Sequence, residues 1–178
     1  MRMFEFTLVL DSGVDLTEGV EDALFEAGLD DVLVGSRDDI VFIDFEREGE
    51  SFVDVALFAV QQVEAALPGA IVLRVEPDEL VSAADIAARV GRTRESIRLL
   101  VGGHRGPGGF PAPVHGIASK QRLWRWGEVA QWLFSCVPCS VTEAEVETAQ
   151  AISTLNSALY LRKYPSRVAQ RLLDRLAG

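Results

Sequence analysis

Histidine, cysteine, methionine and tyrosine each occur only twice in the 178 residues. His104 and His115 share one Gly/Pro-rich segment, and no nucleophile stands in an elbow or triad arrangement, so catalytic residues are not expected. Cys136 and Cys139 form a single C-x-x-C, in CVPC, with no second pair to complete the four ligands that zinc prefers. The motif is expected to be two ordinary buried thiols, metal ligation and thiol redox chemistry being its other readings. Neither G-x-x-x-x-G-K-[ST] nor G-x-G-x-x-G is present, which argues against a nucleotide cradle. No cofactor and no metal are therefore expected. Long apolar runs are missing too: the uncharged stretch from Val129 to Thr142 contains Pro138 and is too short to span a bilayer. The opening MRMFEFTLVLDSGVD alternates apolar and polar residues and meets acid at Glu5 and Asp11, unlike a signal peptide. A cytoplasmic protein with no membrane partner is expected.

Basic charge is also in short supply, 17 Lys and Arg against 27 Asp and Glu for a net charge of -10, and it is unevenly distributed. From Met1 to Glu79 four arginines stand against 20 carboxylates; from Leu80 to Leu133 eight basic residues outnumber three acidic ones. The remainder, from Phe134, is close to balance. A sign change at residue 80 predicts two bodies with different partners, because a surface field selects what approaches it.

The acidic half carries alternating patterns. Met3 to Leu10 predicts a strand, and Leu16 to Ala27 a helix with Leu16, Val20, Leu24 and Ala27 inward, closed by Gly28. Asp31 to Gly35 and Ile40 to Phe45 predict two strands joined by Ser36-Arg37-Asp38-Asp39. Ser51 caps a second predicted helix to Leu67, with Val55, Phe58, Val63 and Leu67 among its buried candidates, and Pro68-Gly69 ends it before a strand from Ala70 to Val75. The order βαββαβ is the ferredoxin-like plan. Most of its carboxylates are expected to form a solvated surface, with Asp30-Asp31 and Asp38-Asp39 as acids that could converge.

Beyond the joint Glu76-Pro77-Asp78-Glu79, Ser82 and Asp85 make a capping box for a helix through Val90. Gly91 permits a sharp turn, and Thr93 caps a helix from Arg94 to Val101. With Ala87 where two helices approach closely, Gly91 in the turn and Ile97 plugging a core with Ile86, Val90 and Leu100, residues 83–102 resemble the helix-turn-helix family of DNA-binding proteins. The segment from Gly102 to Leu133 is similar to the wing and closing helix of that family's MerR-like, AlpA and excisionase-related members: Phe110-Pro111-Ala112-Pro113 as the turn, Lys120-Gln121-Arg122-Leu123-Trp124-Arg125-Trp126 as the ascending wing strand, and Glu128 to Leu133 as the closing helix. The resemblance implies a recognition helix in the major groove of double-stranded DNA. Thr93, Arg94, Glu95 and Arg98 would lie on that helix, Arg94 and Arg98 one turn apart. Arg89, Arg92, Lys120, Arg122 and Arg125 would meet phosphates, joined by His104 and Arg105. Glu95 would accept from cytosine or orient a neighbouring arginine. Trp124, Trp126 and Trp132 are expected to be core residues.

Thr142 and Glu145 predict a capping box for a long helix over 143–163, with Ile152, Leu155 and Leu159 inward. Pro165 interrupts it, and Val168, Leu172 and Leu176 continue as a second amphipathic helix. The whole is expected to be α+β: a ferredoxin-like domain at 1–77, a winged helix-turn-helix at 80–134 and a C-terminal helical segment at 141–178. The function it implies is that of a sequence-specific DNA-binding transcriptional regulator, a homodimer on paired half-sites. Its N-terminal domain would serve a protein or small-molecule partner. The alternative is an antitoxin-like interaction adaptor whose acidic domain engages a basic protein.

Overall fold

The computed structural model describes residues 1–11, 13, 18–77, 79–117, 121–138, 141–166, 168, 171, 172, 174 and 175. In chain order the elements are β1 (Arg2–Leu10), α1 (Glu18–Glu26), β2 (Leu33–Arg37), β3 (Ile40–Gly49), α2 (Phe52–Ala66), β4 (Val72–Glu76), β5 (Leu80–Val81), α3 (Ala83–Arg89), α4 (Arg94–Val101), β6 (Trp124–Arg125), α5 (Trp126–Cys136) and α6 (Glu143–Lys163). This α+β chain forms two compact units, one of Met1–Pro77 with Thr154–Gly178, the other of Asp78–Ser153. The stretch expected as a separate C-terminal segment is thus divided, α6 beginning in the second unit and ending in the first.

The first unit is built on a four-stranded antiparallel sheet in the order β2-β3-β1-β4. Alternation in β1 turns Phe4, Phe6 and Leu8 to one face, where they are buried. Register sets Phe6 opposite Phe45 and Leu8 opposite Ile43. The Phe6 and Phe45 rings stack at 5.2 Å, and Phe52 at the start of α2 meets Phe4 and Phe6 edge-on, each at 5.6 Å. Ser51 caps α2 as expected, accepting from the Asp54 N–H. The helix buries Phe52, Ala56, Ala59, Val60 and Val63. Phe58, expected inside, is 58% exposed, and Val55 is only half-buried. Two alanines carry the stripe that faces the sheet, which turns the larger Phe58 outward. Ala27 is also exposed, because the chain leaves the helix at Glu26 and reverses at Gly28, whose φ is +76°. Leu16 lies outside the described residues.

The β2–β3 connection is tighter than expected. Ser36 and Arg37 pair with Val41 and Ile40, leaving only Asp38 and Asp39, with φ of 51° and 60°, as a two-residue hairpin turn. Asp30-Asp31 and Asp38-Asp39 therefore sit at opposite ends of β2 and do not converge; Asp31 instead accepts from Arg47 at 2.8 Å.

β4 is an edge strand, and the last turns of α6 cover it. The Asn156 amide bonds the Val75 backbone in both directions, Oδ1 accepting from N–H at 2.7 Å and Nδ2 donating to the carbonyl at 2.9 Å. Arg162 donates to the Val72 carbonyl at 3.3 Å and to both oxygens of Glu64, which accepts the Val72 N–H at 2.9 Å. Lys163 reaches Asp11 at 2.7 Å, and that hydrogen bond raises the Lys163 pKa. Backbone groups that would otherwise template pairing with another chain are thereby occupied.

In the second unit β5 and β6 pair antiparallel, Val81 opposite Trp124. Around them α3, α4, α5 and the start of α6 enclose a core that includes Val81, Ile86, Ile97, Leu100, Trp124 and Leu133, extended by Val141 and Val146. Gly127 is buried where α5 meets α6, and a Cβ there would come into van der Waals contact with the Ala149 backbone at 3.5 Å. Thr142 and Glu145 form the expected box, the Thr142 hydroxyl accepting the Glu145 N–H at 3.2 Å and the carboxylate accepting the Thr142 N–H at 2.6 Å. No helix among the described residues is long and apolar enough to cross a membrane.

Candidate functional site

Local chemistry fixes the α3–turn–α4 segment residue by residue. The Ser82 hydroxyl accepts the Ala84 and Asp85 N–H groups, and the Asp85 carboxylate accepts the Ser82 N–H at 2.8 Å. Hydrogen bonding to the carboxylate by Ser82, its hydroxyl first and its backbone N–H second, holds the Asp85 carboxyl below its ordinary pKa. After α3, Gly91 takes φ of +62°, a conformation that costs glycine little and other residues more. Thr93 then caps α4 by accepting the Ser96 N–H at 3.1 Å.

α4 has two sharply different sides. Ile97 and Leu100, 0% and 1% exposed, face the core beside Ile86, Ala87 and Val90. Arg94, Glu95 and Arg98 are exposed and share one outward stripe, as spacings of three and four residues require. Glu95 and Arg98 are paired: Arg98 Nε donates to Oε2 and Nη2 to Oε1, both at 2.8 Å. This contact lowers the Glu95 pKa and raises that of Arg98. The Arg94 side chain has no protein partner among the described residues.

A glycine-rich loop leaves the end of α4. The His104 and Arg105 N–H groups both bond the Leu99 carbonyl, at 2.9 and 3.2 Å, and both side chains point to solvent. Gly103, Gly106, Gly108 and Gly109 all have positive φ, which accounts for the glycine content. The tryptophans hold the loop down: Trp132 Nε1 donates to the Gly108 carbonyl at 3.2 Å, Trp124 Nε1 to the Pro111 carbonyl at 3.0 Å, and Phe110 packs against both rings. Trp124 is buried as expected, whereas Trp126 is half-buried under the Arg89 guanidinium, 5.0 Å from its ring centre.

Among the described residues of the expected wing strand, Gln121 to Trp126, only Trp124 and Arg125 form a strand, and their partner is β5, which precedes the helices. The pairing across the turn is a single bridge between His115 and Leu123, with Val114 also donating to the Leu123 carbonyl at 2.9 Å. Pro113, which lacks an N–H, and Gly116 at φ of +72° bound that bridge on either side. The closing helix is longer than expected, α5 running on to Cys136.

Chain comparisons against family models, curated proteins and solved structures give no significant match.

The residues singled out by sequence therefore fall into three groups. Arg94, Arg105 and Arg122 are exposed cations without a protein partner among the described residues, and Arg98 is exposed but paired with Glu95. Arg92 and Arg125 are engaged within the unit. Arg92 donates to the Pro138 carbonyl at 2.8 Å, and Arg125 pairs with Glu79, whose carboxylate also accepts from Ser153 at 2.8 Å. Lys120 lies outside the described residues. Thr93 serves the cap. Sequence reading missed Glu79, which also accepts the Trp126 N–H on its backbone carbonyl at 2.7 Å; β5 is too short to leave a periodic signal. Cys136, expected to be buried, is an exposed free thiol at the end of α5, beyond Leu133, the last buried residue of that helix; Cys139 lies outside the described residues. Among the described residues no group of three metal-ligating side chains occurs.

Proposed function

We propose that this protein is a cytoplasmic, sequence-specific DNA-binding protein and transcriptional regulator that uses its second unit to bind double-stranded DNA. The observation that carries the reading is α4: a helix capped by Thr93, set by the Gly91 turn and anchored by Ile97 and Leu100, which turns Arg94, Glu95 and Arg98 outward together. A helix so presented enters a major groove with its first turns against base edges. Arg105 and Arg122 supply phosphate contacts, Lys120 joins them, and Arg92 and Arg125 add charge while fixing neighbouring segments. The bridge at His115 and the β5–β6 pair support a winged helix-turn-helix, and the order β2-β3-β1-β4 supports a ferredoxin-like first unit. A homodimer on paired half-sites accords with the two-fold logic of such readers.

Mobility-shift titration of the full chain over a range of salt tests this. Native protein is expected to bind duplex DNA with an affinity that falls steeply with salt. Arg122→Ala and Arg94→Ala are each expected to weaken binding and to flatten the slope by about one counterion. Binding indifferent to both changes would overturn the assignment.

One observation favours a second role, that of adaptor to a basic protein. Glu5 and Glu46 lie directly opposite one another on β1 and β3, both exposed and neither in an ion pair among the described residues. Like charges in that position repel, and a basic partner relieves the repulsion. Loss of a co-purifying basic protein on Glu5→Lys with Glu46→Lys would support this role.

A further inference from the structure

Arginine presents its five N–H donors along two usable edges, a side edge of Nε with one Nη and an end edge of both Nη groups. On α4 the Glu95 carboxylate takes the side edge of Arg98 with two bonds of 2.8 Å, one to each oxygen. The choice of atoms matters in two ways. The end edge of Arg98 is left open by Glu95 on a side chain that is 71% exposed, and its two parallel N–H groups match the O6 and N7 acceptors of guanine. Each carboxylate oxygen already accepts one bond from Arg98, so a cytosine amine would have to share an oxygen with the guanidinium. A free arginine side chain loses rotamer entropy when it is fixed, and a buttressed one has lost part of that before binding.

Resting on the DNA-binding reading above, we infer that Arg98 reads a guanine through its end edge and that Glu95 is the positioning residue that holds it there. Arg94, which no carboxylate holds, then contributes charge and adaptable contact rather than sharp base choice. Glu95 also repels phosphate. Its removal is therefore expected to strengthen binding to unselected DNA while weakening the choice of base, two effects of opposite sign that a purely solubilising glutamate would not produce.

The test selects preferred sites from a pool of random duplexes with the full-length protein and with Glu95→Ala and Arg98→Lys. Each variant's melting curve is compared with that of the native chain. The native protein is expected to select a guanine at a position where Arg98→Lys, which keeps the charge but not the fork, loses a factor of roughly ten or more in preference. Glu95→Ala is expected to lose preference at that same position, to bind random duplex more tightly at low salt, and to add little further loss in the double variant. If Glu95→Ala binds all duplexes more tightly with its guanine preference intact, the inference fails and the DNA-binding reading stands. If the guanine preference survives Arg98→Lys, the inference likewise fails. If the native chain binds no duplex at any salt concentration, both fail.

Discussion

Glu5 and Glu46 face each other across two strands at a register position where an opposite charge would stabilise the sheet. Glu46→Lys is accordingly expected to raise the stability of the first unit by about 0.2–1 kcal/mol, measured by urea unfolding, with the gain shrinking as salt is added. A second residue with a measurable signature is Asp85. Its pKa is lowered in the folded chain, so its contribution is present above the ordinary carboxylate value and lost as pH falls through the folded one. Asp85→Asn is expected to melt at a lower temperature than the native chain at pH 7. The two melts should converge as pH falls through the lowered folded-state value and the native carboxyl protonates. Because Asp85 is solvent-exposed, the gap at neutral pH is expected to stay under about 1 kcal/mol. A gap that persisted in acid would mean that the effect comes from the changed shape of the side chain and not from its charge.

At the scale of the element, the edge of β4 is closed by side chains from α6, and Asn156 makes two of those bonds to one residue. Asn156→Ala leaves the Val75 N–H and carbonyl without their partners and is expected to cost about 1–3 kcal/mol, seen in urea unfolding, together with increased light scattering from the opened edge. That clamp could not be read from the sequence, because it joins residues 81 apart and no local pattern couples Asn156 to the strand that holds Val75. Caps were legible for the opposite reason. Ser51, Ser82, Thr93 and Thr142 each act within three residues of themselves, and all four accept the expected N–H. Helix faces were legible where large residues carried the stripe, as with Ile97 and Leu100, and misread where alanine did, as in α2. On α4 the stripe of Arg94, Glu95 and Arg98 followed from spacing, but the direction of the Arg98 fork did not, since either neighbouring solvent or Glu95 could have received it. The short β5 and the single bridge at His115 fall below the length at which alternation has meaning.

For the molecule as a whole, residues 80–134 contain the helices that carry the candidate site but not the entire core beneath them. Val141 and Val146 are buried in that core, Ala149 packs against Gly127, and Ser153 bonds Glu79. Each of the two valines is worth about 1.5–3 kcal/mol when fully buried, so a fragment ending at residue 134 is expected to be largely unfolded. One of residues 78–153 is expected to keep its helical circular dichroism and a cooperative melt. Equal stability of the two fragments would show that the start of α6 is dispensable. Elsewhere in the second unit, Arg105 lies in the loop after α4, among residues 102–107 that are all exposed. Its peptide bond to Gly106 is thus a ready target for trypsin, and a single nick there would leave two pieces still associated through the buried side chains on either side of it. If the second unit binds duplex as proposed, DNA covering Arg105 would slow the nick, and the rate of this one cleavage would then be a label-free gauge of occupancy.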